Sequence, residues 1–266
     1  MSHTDLILTE RHDDVTLLRL NLPQRLNPLA IALQQRLREV LAELREDRGV
    51  RALVITGAGK AFCVGADLGG LTPPADRPLG EFVGDTMESL SNRIVEDLRE
   101  MPFPVVSAVN GPCAGAGVGV ALAADMVVAA RSAYFYLPFL PRLGIVPDLG
   151  TTWFLERYLG RARAVGLALL GDRLWAEQAV QWGLIWSCVD DDTLLDEALG
   201  LARRLARLPT HAAMESRRVF DSAASRSLLD QMRFEADRQR ELIGRPEFAE
   251  GARAFLDKRE PVFPPR

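Results

Sequence analysis

A glycine-rich stretch from Asn110 to Asp125 limits most strongly what this chain can fold into. It follows directly on an apolar, β-branched run at 104–109, which is typical of a buried strand. Four of the nine residues from Gly111 to Gly119 are glycine, and only small or apolar side chains follow as far as position 124. The pattern predicts a strand, a tight turn and a closely packed helix. Such a turn leaves backbone N–H groups free at the helix N-terminus.

Free N–H groups at such a turn can bind a phosphate, stabilise the negative oxygen that develops on a reacting carbonyl, or bind no ligand at all. Phosphate is disfavoured, because the stretch has neither a Gly-x-Gly-x-x-Gly spacing nor a following Gly-Lys-Ser or Gly-Lys-Thr. Glycines that only permit close packing remain an alternative. A second glycine-rich turn, Gly57–Leu68, follows a buried strand at 52–56. Because an oxyanion site gains from a second donor turn, this finding favours the oxyanion interpretation.

The composition excludes several classes of function. The 266 residues carry a net charge of −4, which gives no general attraction to nucleic acid or to anionic membranes. The N-terminus lacks a secretion signal, and no apolar run reaches the length of about 18 residues expected of a membrane span. The three cysteines are widely spaced and form no Cys-x-x-Cys motif. This spacing favours a reducing compartment, the cytoplasm, over a disulfide framework or a zinc site.

The histidines exclude two further kinds of site. His3, His12 and His211 all lie outside the glycine-rich turns. A Ser-His-Asp or Cys-His arrangement and a histidine metal site are therefore not expected, and neither a metal nor a cofactor is predicted. Cys63 and Cys113, which lie near the turns, are interpreted as small packing residues. Carboxylates and backbone dipoles remain to carry the chemistry.

Hydrophobic periodicity predicts an α/β core at residues 1–191 and a helical region at 192–266. Asn27 is expected to cap the first helix, with Pro28 in its first turn. Residues 71–80 contain three prolines and are expected to form a mobile loop. Strands are predicted at 6–8, 15–20, 52–56, 102–109, 125–130, 133–137 and 185–189. Helices are predicted at 28–46, 81–100, after 152, 161–170, 175–182, 192–208, 210–224, 226–243 and 246–258.

Five segments, in the same order along the chain, resemble the crotonase (enoyl-CoA hydratase/isomerase) superfamily, and together they cover essentially the whole sequence. They are Asn21–Pro28, Ala61–Leu68, Asn110–Gly117 with Asp125, Gly144–Gly150 and Ala254–Pro261. Within the superfamily, Gly160–Gly171 and Trp182–Asp190 are most similar to the 1,2-epoxyphenylacetyl-CoA isomerases of phenylacetate degradation.

The resemblance implies a fold, an assembly and a substrate class. The fold is a crotonase-like spiral of strand–strand–helix units with a C-terminal helical trimerisation region, and trimers often pair into hexamers. Apolar residues of the helical tail, such as Leu228, Leu229, Met232 and Phe234, fit such an interface. The substrate is an acyl-CoA, whose coenzyme A is the only cofactor expected. The acyl group itself is left open, because the loop at 73–82 and the C-terminal helices would shape its pocket.

The resemblance also assigns roles to residues. The thioester oxygen is expected to accept hydrogen bonds from the N–H groups of Ala66 and Ala116. Arg25 and Lys258 match positions that meet the nucleotide of coenzyme A, although Arg25 also fits an ordinary solvated charge. Asp67 also fits a turn aspartate that hydrogen-bonds nearby backbone. The remaining matched positions for substrate are Leu26, Ala61, Val64, Gly65, Leu68, Gly115 and Phe255, the last of which, with Lys258, often reaches a neighbouring subunit's ligand.

The available carboxylates separate isomerisation from hydration. Hydratases of the superfamily use two glutamates, and the matching positions here are Gly119 and the neighbourhood of Leu140, where one extra residue is indicated and neither Phe139 nor Pro141 is acidic. Both hydratase glutamates are therefore missing. Asp148 remains, at the position where isomerases of the superfamily place a catalytic aspartate. An aspartate between a proline and an apolar helix also fits an N-cap, and the two roles are compatible.

The sequence therefore predicts an acyl-CoA isomerase that moves a double bond, or rearranges a ring epoxide, through an enolate. An enoyl-CoA hydratase is the alternative of the same class. The alternative of another class is a non-catalytic member of the superfamily that binds acyl-CoA or a macromolecule. The acidic net charge disfavours RNA binding, and two intact donor turns disfavour a simple scaffold.

Overall fold

The computed structural model describes residues 3–264, with side chains from Asp5 onward. The strands are β1 (Ile7–His12), β2 (Val15–Leu20), β3 (Ala52–Gly57), β4 (Val105–Val109), β5 (Cys113–Ala114), β6 (Met126–Ala130), β7 (Tyr134–Tyr136), β8 (Leu174–Trp175) and β9 (Ser187–Val189). The α-helices are α1 (Ile31–Glu46), α2 (Leu79–Thr86), α3 (Asn92–Arg99), α4 (Ala116–Leu122), α5 (Thr151–Leu170), α6 (Ala176–Trp182), α7 (Leu194–Ala206), α8 (Thr210–Ala223), α9 (Leu228–Ile243) and α10 (Pro246–Leu256).

Two sheets organise the core. The larger one has six strands in the order β1-β2-β3-β4-β6-β9, in which β1 and β2 are antiparallel and the other neighbours are parallel. Every residue of β3 and β4 is buried, as expected for central parallel strands covered on both faces. The smaller sheet has the order β5-β7-β8. β3 and β4 are parallel neighbours, so the two glycine-rich turns that follow them begin side by side at the C-terminal ends of these strands.

Most predicted elements are present, with ends shifted by a few residues, and the mixed α/β core followed by helices is confirmed. The two-residue strands β5 and β8 were missed, because so short a segment carries no periodic signal. The helix predicted at 81–100 consists of α2 and α3 joined by a π-helical turn at Met87–Ser91. A second π-helical turn is present at Phe139–Leu143, and the extra residue inferred in this segment stays a prediction.

The prediction that Asn27 caps the first helix is wrong. The helix begins at Ile31, and Asn27 is fully buried with a φ of 56°. Its amide donates to the carbonyl oxygens of Ala58 and Ala61 at 2.9 and 2.8 Å, and its Oδ1 accepts from the N–H of Leu22 at 2.8 Å. Asn27 therefore holds the start of the second glycine-rich turn rather than a helix end.

Arg217 makes several of the hydrogen bonds that attach the C-terminal helices to the core, and Arg99 and Arg51 make others. Arg217 on α8 donates to both carboxylate oxygens of Asp125 at 2.7 and 2.6 Å. It also donates to the backbone carbonyls of Arg99, Met101 and Phe103. The boundary between residues 191 and 192 stays a prediction; α7, although it follows that boundary, packs against β3 and β4.

Candidate active site

The two glycine-rich turns lie against each other. Cys63 and Cys113 form a parallel β-bridge, and the N–H of Ala114 donates to the carbonyl of Cys63 at 2.9 Å. Both cysteines are fully buried, and burial raises the pKa of the Cys63 thiol to about 12. They pack in the core, as predicted, and neither is a thiolate at neutral pH. The bridge fixes the distance between the two segments that carry the predicted oxyanion donors.

Glycines make this close approach possible. Gly65 has a φ of 89° and Gly115 a φ of 54°, which side-chain-bearing residues rarely adopt. A Cβ at Gly65 would lie 2.9 Å from the oxygen of Ala114 and 3.0 Å from the nitrogen of Ala116. A Cβ at Gly117 would lie 2.5 Å from the carbonyl oxygen of Cys63. The turns therefore hold their backbones at a separation that excludes side chains.

The N–H groups of Ala66 and Ala116 are both available to a ligand. Within residues 3–264, neither N–H donates a hydrogen bond to the protein. Both residues line one cavity of about 160 Å³. Two unpartnered backbone donors beside one cavity are the arrangement that stabilises a developing oxyanion. A cavity of this size is smaller than the range of about 300–1,000 Å³ typical of whole-ligand pockets, so it suits an acyl group rather than an entire acyl-CoA.

Asp148 lies on the wall of the same cavity. It precedes α5 by three residues but does not cap that helix with its side chain; the N-cap residue is Gly150, with a left-handed backbone. Desolvation raises the pKa of Asp148 from 3.8 to about 6, although its own backbone N–H opposes the shift. Its Oδ1 is buried and accepts no hydrogen bond from any described residue. The capping alternative is therefore wrong, and the carboxyl group is free to exchange a proton near neutral pH.

Position 119, where a hydratase would carry its first glutamate, has no room for a side chain. A Cβ at Gly119 would lie 2.3 Å from the carbonyl oxygen of Leu149 and 2.9 Å from its Cβ. Leu149 itself has a φ of 46° and is buried. A longer side chain at 119 requires the segment containing Asp148 to move. The other expected position, Leu140, lies on the π-helical turn and is 44% exposed.

The structure pairs Arg25 with Asp67, which differs from both simple interpretations of these residues. Arg25 donates to Oδ1 of Asp67 at 2.5 Å. Asp67 is buried and makes no side-chain cap to the 3₁₀ turn that follows it, so the prediction that it hydrogen-bonds nearby backbone is wrong. Arg25 is anchored, although half of its side chain stays exposed. Leu26 and Leu68, the residues that follow the pair, are both exposed.

The other predicted substrate-binding positions divide into two groups. Ala61 is fully buried and Val64 is half-buried, and neither side chain lines the cavity that contains Asp148. Phe255 and Lys258 lie at the end of α10, where Phe255 is 84% exposed. In the described part of this single chain, neither residue lines the cavity that contains Asp148.

Local sequence patterns did not indicate one part of the cavity wall. This part is formed by α1, α2 and the π-helical turn that follows α2. Gln34, the most informative of these residues, is 5% exposed between the fully buried Leu33 and Leu37. A polar side chain on the buried face of a helix was the signal that could have indicated it. The other missed residues are Ala30, Ile31, Val83, Thr86, Met87 and Ser91.

No helix between residues 3 and 264 is long and apolar enough to cross a bilayer. Over the same range, no group of three or more His, Cys, Asp or Glu side chains is placed to hold a metal ion.

Comparisons with known proteins agree with this geometry. The family model for enoyl-CoA hydratase/isomerase matches residues 10–266. The chain is 45% identical to the 1,2-epoxyphenylacetyl-CoA isomerase of Escherichia coli (strain K12), with 97% of this chain and 98% of that protein covered. It is 39% identical to a protein of Rhodobacter capsulatus named a probable enoyl-CoA hydratase, with 96% of each covered.

Solved structures give the same result for the fold. An enoyl-CoA hydratase from Polaromonas sp. JS666 superposes with a TM-score of 0.90 at 31% identity, covering 97% of this chain and 99% of that one. An enoyl-CoA hydratase from Bacillus anthracis superposes with a TM-score of 0.89 at 28% identity, covering 97% and 98%. The expected fold, including the C-terminal helices, is confirmed.

Proposed function

Because this chain belongs to the enoyl-CoA hydratase/isomerase family, a family of the crotonase superfamily, we propose that it is an acyl-CoA isomerase. It moves a double bond, or rearranges a ring epoxide, next to the thioester. One observation carries the proposal. A single carboxyl group with a raised pKa, Asp148, shares a cavity with two free backbone donors, while the backbone of Leu149 occupies the space that a hydratase glutamate at 119 needs.

The proposed reaction begins with the thioester oxygen accepting hydrogen bonds from the N–H groups of Ala66 and Ala116. The carboxylate of Asp148 removes a proton from C2 of a 3-enoyl thioester. The electron pair of that C–H bond enters the C1–C2 bond and the carbonyl electrons move to oxygen, which gives a dienolate held by the two donors. Asp148 then returns its proton to C4, which leaves the double bond between C2 and C3. Loss of one such donor typically slows a reaction about 10²–10³-fold.

Hydration requires more than this site offers. Adding water needs one group to activate the water and another to handle the proton at the α-carbon. Asp148 can serve one of these functions, and positions 119 and 140 carry no second carboxylate. The other carboxylate on the cavity wall, Asp67, is paired with Arg25. The non-catalytic alternative is disfavoured as well, because a protein that only binds acyl-CoA gains nothing from a desolvated carboxyl group beside the donors.

Coenzyme A is proposed to lie outside the cavity, along the surface formed by Arg25, Leu26 and Leu68. Lys258 and Phe255 reach it from a neighbouring subunit, which accounts for their distance from the site of their own chain. The active form is then a homotrimer or a hexamer in the cytoplasm, with no nucleic-acid or membrane partner and no cofactor besides the coenzyme A of the substrate. The exposed apolar residues of the C-terminal helices support this assembly: Phe220, Leu228, Leu229, Met232, Ile243, Phe248, Phe255 and Leu256.

The proposal is tested by offering the purified protein matched 3-enoyl-, 2-enoyl- and aryl-CoA thioesters and by measuring isomerisation and hydration separately. We expect isomerisation of a 3-enoyl- or aryl-CoA thioester to exceed hydration of the 2-enoyl-CoA by at least about 10²-fold, the usual contribution of a positioned acid or base. Faster hydration than isomerisation would show that a second acid takes part and that the proposal is wrong.

A further inference from the structure

Gln34 is a buried amide on the wall of the acyl cavity. It lies on α1 and is 5% exposed, and it lines the same cavity as Ala66, Ala116 and Asp148. Burial of an amide is unfavourable unless both its donor and its acceptor find partners. The hydrogen bonds that the Gln34 amide makes and lacks therefore indicate which polar group a bound ligand supplies.

The orientation of the Gln34 amide is determined by its neighbour. Its Nε2 donates to the carbonyl oxygen of Leu29 at 2.7 Å. Since a carbonyl oxygen can only accept, the nitrogen rather than Oε1 has to lie beside Leu29. Oε1 is buried, and no donor among residues 3–264 reaches it. The protein thus satisfies the donor half of this amide and leaves the acceptor half unpaired, in a side chain that lines the cavity.

Of the other polar side chains on the cavity wall, Asp67 pairs with Arg25, the Thr86 hydroxyl donates to the carbonyl oxygen of Phe82, and Ser91 is buried. In the proposed reaction, the N–H groups of Ala66 and Ala116 bind the thioester oxygen, and Asp148 exchanges a proton with carbon. Oε1 of Gln34 is then an acceptor without a donor, and an unsubstituted enoyl chain offers none. We infer that Gln34 determines specificity and that the preferred acyl group carries a hydroxyl, which donates a hydrogen bond to Oε1. The inference rests on the proposed function, because it places the acyl group in this cavity.

The expected selectivity between hydroxylated and unsubstituted acyl groups follows from the hydrogen bond that Oε1 of Gln34 lacks. An acyl group without the hydroxyl leaves Oε1 buried and unpaired, whereas the hydroxylated group pairs it. A buried acceptor left without its partner corresponds to a loss of about 10-fold or more in affinity or kcat/KM. A site built to bind a hydroxyl discriminates more strongly than an apolar site that merely tolerates one.

The test uses short-chain enoyl-CoA thioesters that carry one hydroxyl at successive carbons, each paired with its deoxy counterpart. The wild type is compared with Gln34→Met, which keeps the side-chain length and removes the acceptor. Gln35→Met is the matched control, because Gln35 is the adjacent glutamine and its side chain is exposed. The kcat/KM for isomerisation is measured on each pair, and calorimetry gives the Kd of the saturated analogues. Circular dichroism and thermal unfolding show whether the Gln34→Met variant is folded.

We expect the wild type and Gln35→Met to prefer one hydroxylated thioester over its deoxy counterpart by about 10-fold or more. In Gln34→Met we expect this preference, measured as the ratio of kcat/KM for the hydroxylated and deoxy thioesters, to disappear. Isomerisation of deoxy and hydroxylated thioesters at equal rates by the wild type, or an unchanged preference in Gln34→Met, would overturn the inference and leave the proposed function intact. Failure to bind or isomerise any thioester would overturn both.

Discussion

Asp148 is more desolvated than a surface carboxylate. Its raised pKa makes the stability of the folded protein depend on pH. Desolvation raises its pKa from 3.8 to about 6 in the folded chain. The folded state therefore binds the proton more tightly than the unfolded state does. The resulting contribution to stability is fully present below pH 3.8 and is lost as the pH rises through about 6.

Asp148→Asn removes this titration, so we expect it to stabilise the folded protein more at pH 8 than at pH 4. The raised pKa of Asp148 corresponds to about 1–3 kcal/mol of stability. The lower values allow for the partial exposure of its carboxyl group. Thermal or urea unfolding of both proteins at the two pH values measures the difference. A stability difference that does not change with pH would mean that Asp148 has an ordinary carboxyl pKa.

Gly119 shows how a single residue decides between reactions. Gly119→Ala places a Cβ 2.3 Å from the carbonyl oxygen of Leu149. We expect this variant to lose about 1–3 kcal/mol of unfolding free energy and to lose isomerase activity, because the Asp148 segment has to move. Gly166→Ala is the control, since a Cβ at that helical position meets nothing within 4 Å. It should be neutral or stabilising. Equal stability of the two variants in urea unfolding would contradict the close packing at 119.

At the residue scale, local patterns indicated part of the candidate site. Glycine-rich turns after two strands indicated backbone donors, and the resemblance to the crotonase superfamily assigned these donors to Ala66 and Ala116 and the acid to Asp148. The pairing of Arg25 with Asp67 and the burial of Gln34 could not be predicted in the same way. Both depend on which distant segments meet, and no local pattern specifies that.

At the scale of elements, the strand exits are held by side chains rather than by the regular hydrogen bonds of the sheet. Asn27 connects the segment before α1 to both ends of the loop at Ala58–Ala61. Its left-handed backbone and three hydrogen bonds explain why its predicted role as a helix cap failed. The capping pattern of Asn followed by Pro was correct as a local preference, but the tertiary contacts of the buried amide outweigh it.

We expect Asn27→Ala to lower the unfolding free energy by about 3 kcal/mol, because it leaves the N–H of Leu22, the buried carbonyl of Ala61 and the partly buried carbonyl of Ala58 without this partner. Activity should fall together with stability, since the loop leads directly to the donor at Ala66. Asn92→Ala, at the half-buried start of α3, is the control and should change stability by less than about 1 kcal/mol. Urea unfolding with an isomerase assay checks both effects. An Asn27→Ala protein as stable as the control would show that the loop at Ala58–Ala61 does not depend on the Asn27 side chain.

At the scale of the whole molecule, the single chain leaves an apolar surface on its C-terminal helices that a monomer rarely exposes. Leu228 is 75% exposed, Leu229 64% and Met232 53% on α9. Phe234, predicted to belong to the same surface, is half-buried under the guanidinium group of Arg226. The helical nature of this region could be predicted from periodicity, whereas the division between packed and exposed faces needed the tertiary structure.

We expect light scattering to give a mass three or six times 29.3 kDa for the wild type. Leu229→Glu should dissociate the assembly, because it places a charge in an apolar interface. Leu8→Glu is the control, since Leu8 is an exposed leucine on β1, outside the C-terminal helices. A wild type of 29.3 kDa at micromolar concentration would contradict the proposed assembly.

In the proposed reaction, Asp148 alone transfers the proton between carbons of an enolate held by two backbone donors. Kinetics of the wild type and Asp148→Asn on a 3-enoyl-CoA, with the Kd of acetoacetyl-CoA measured in parallel, test this role. We expect isomerisation to fall by at least about 10²-fold in Asp148→Asn while affinity for the thioester changes little. An Asp148→Asn protein that isomerises as fast as the wild type would contradict the role of Asp148.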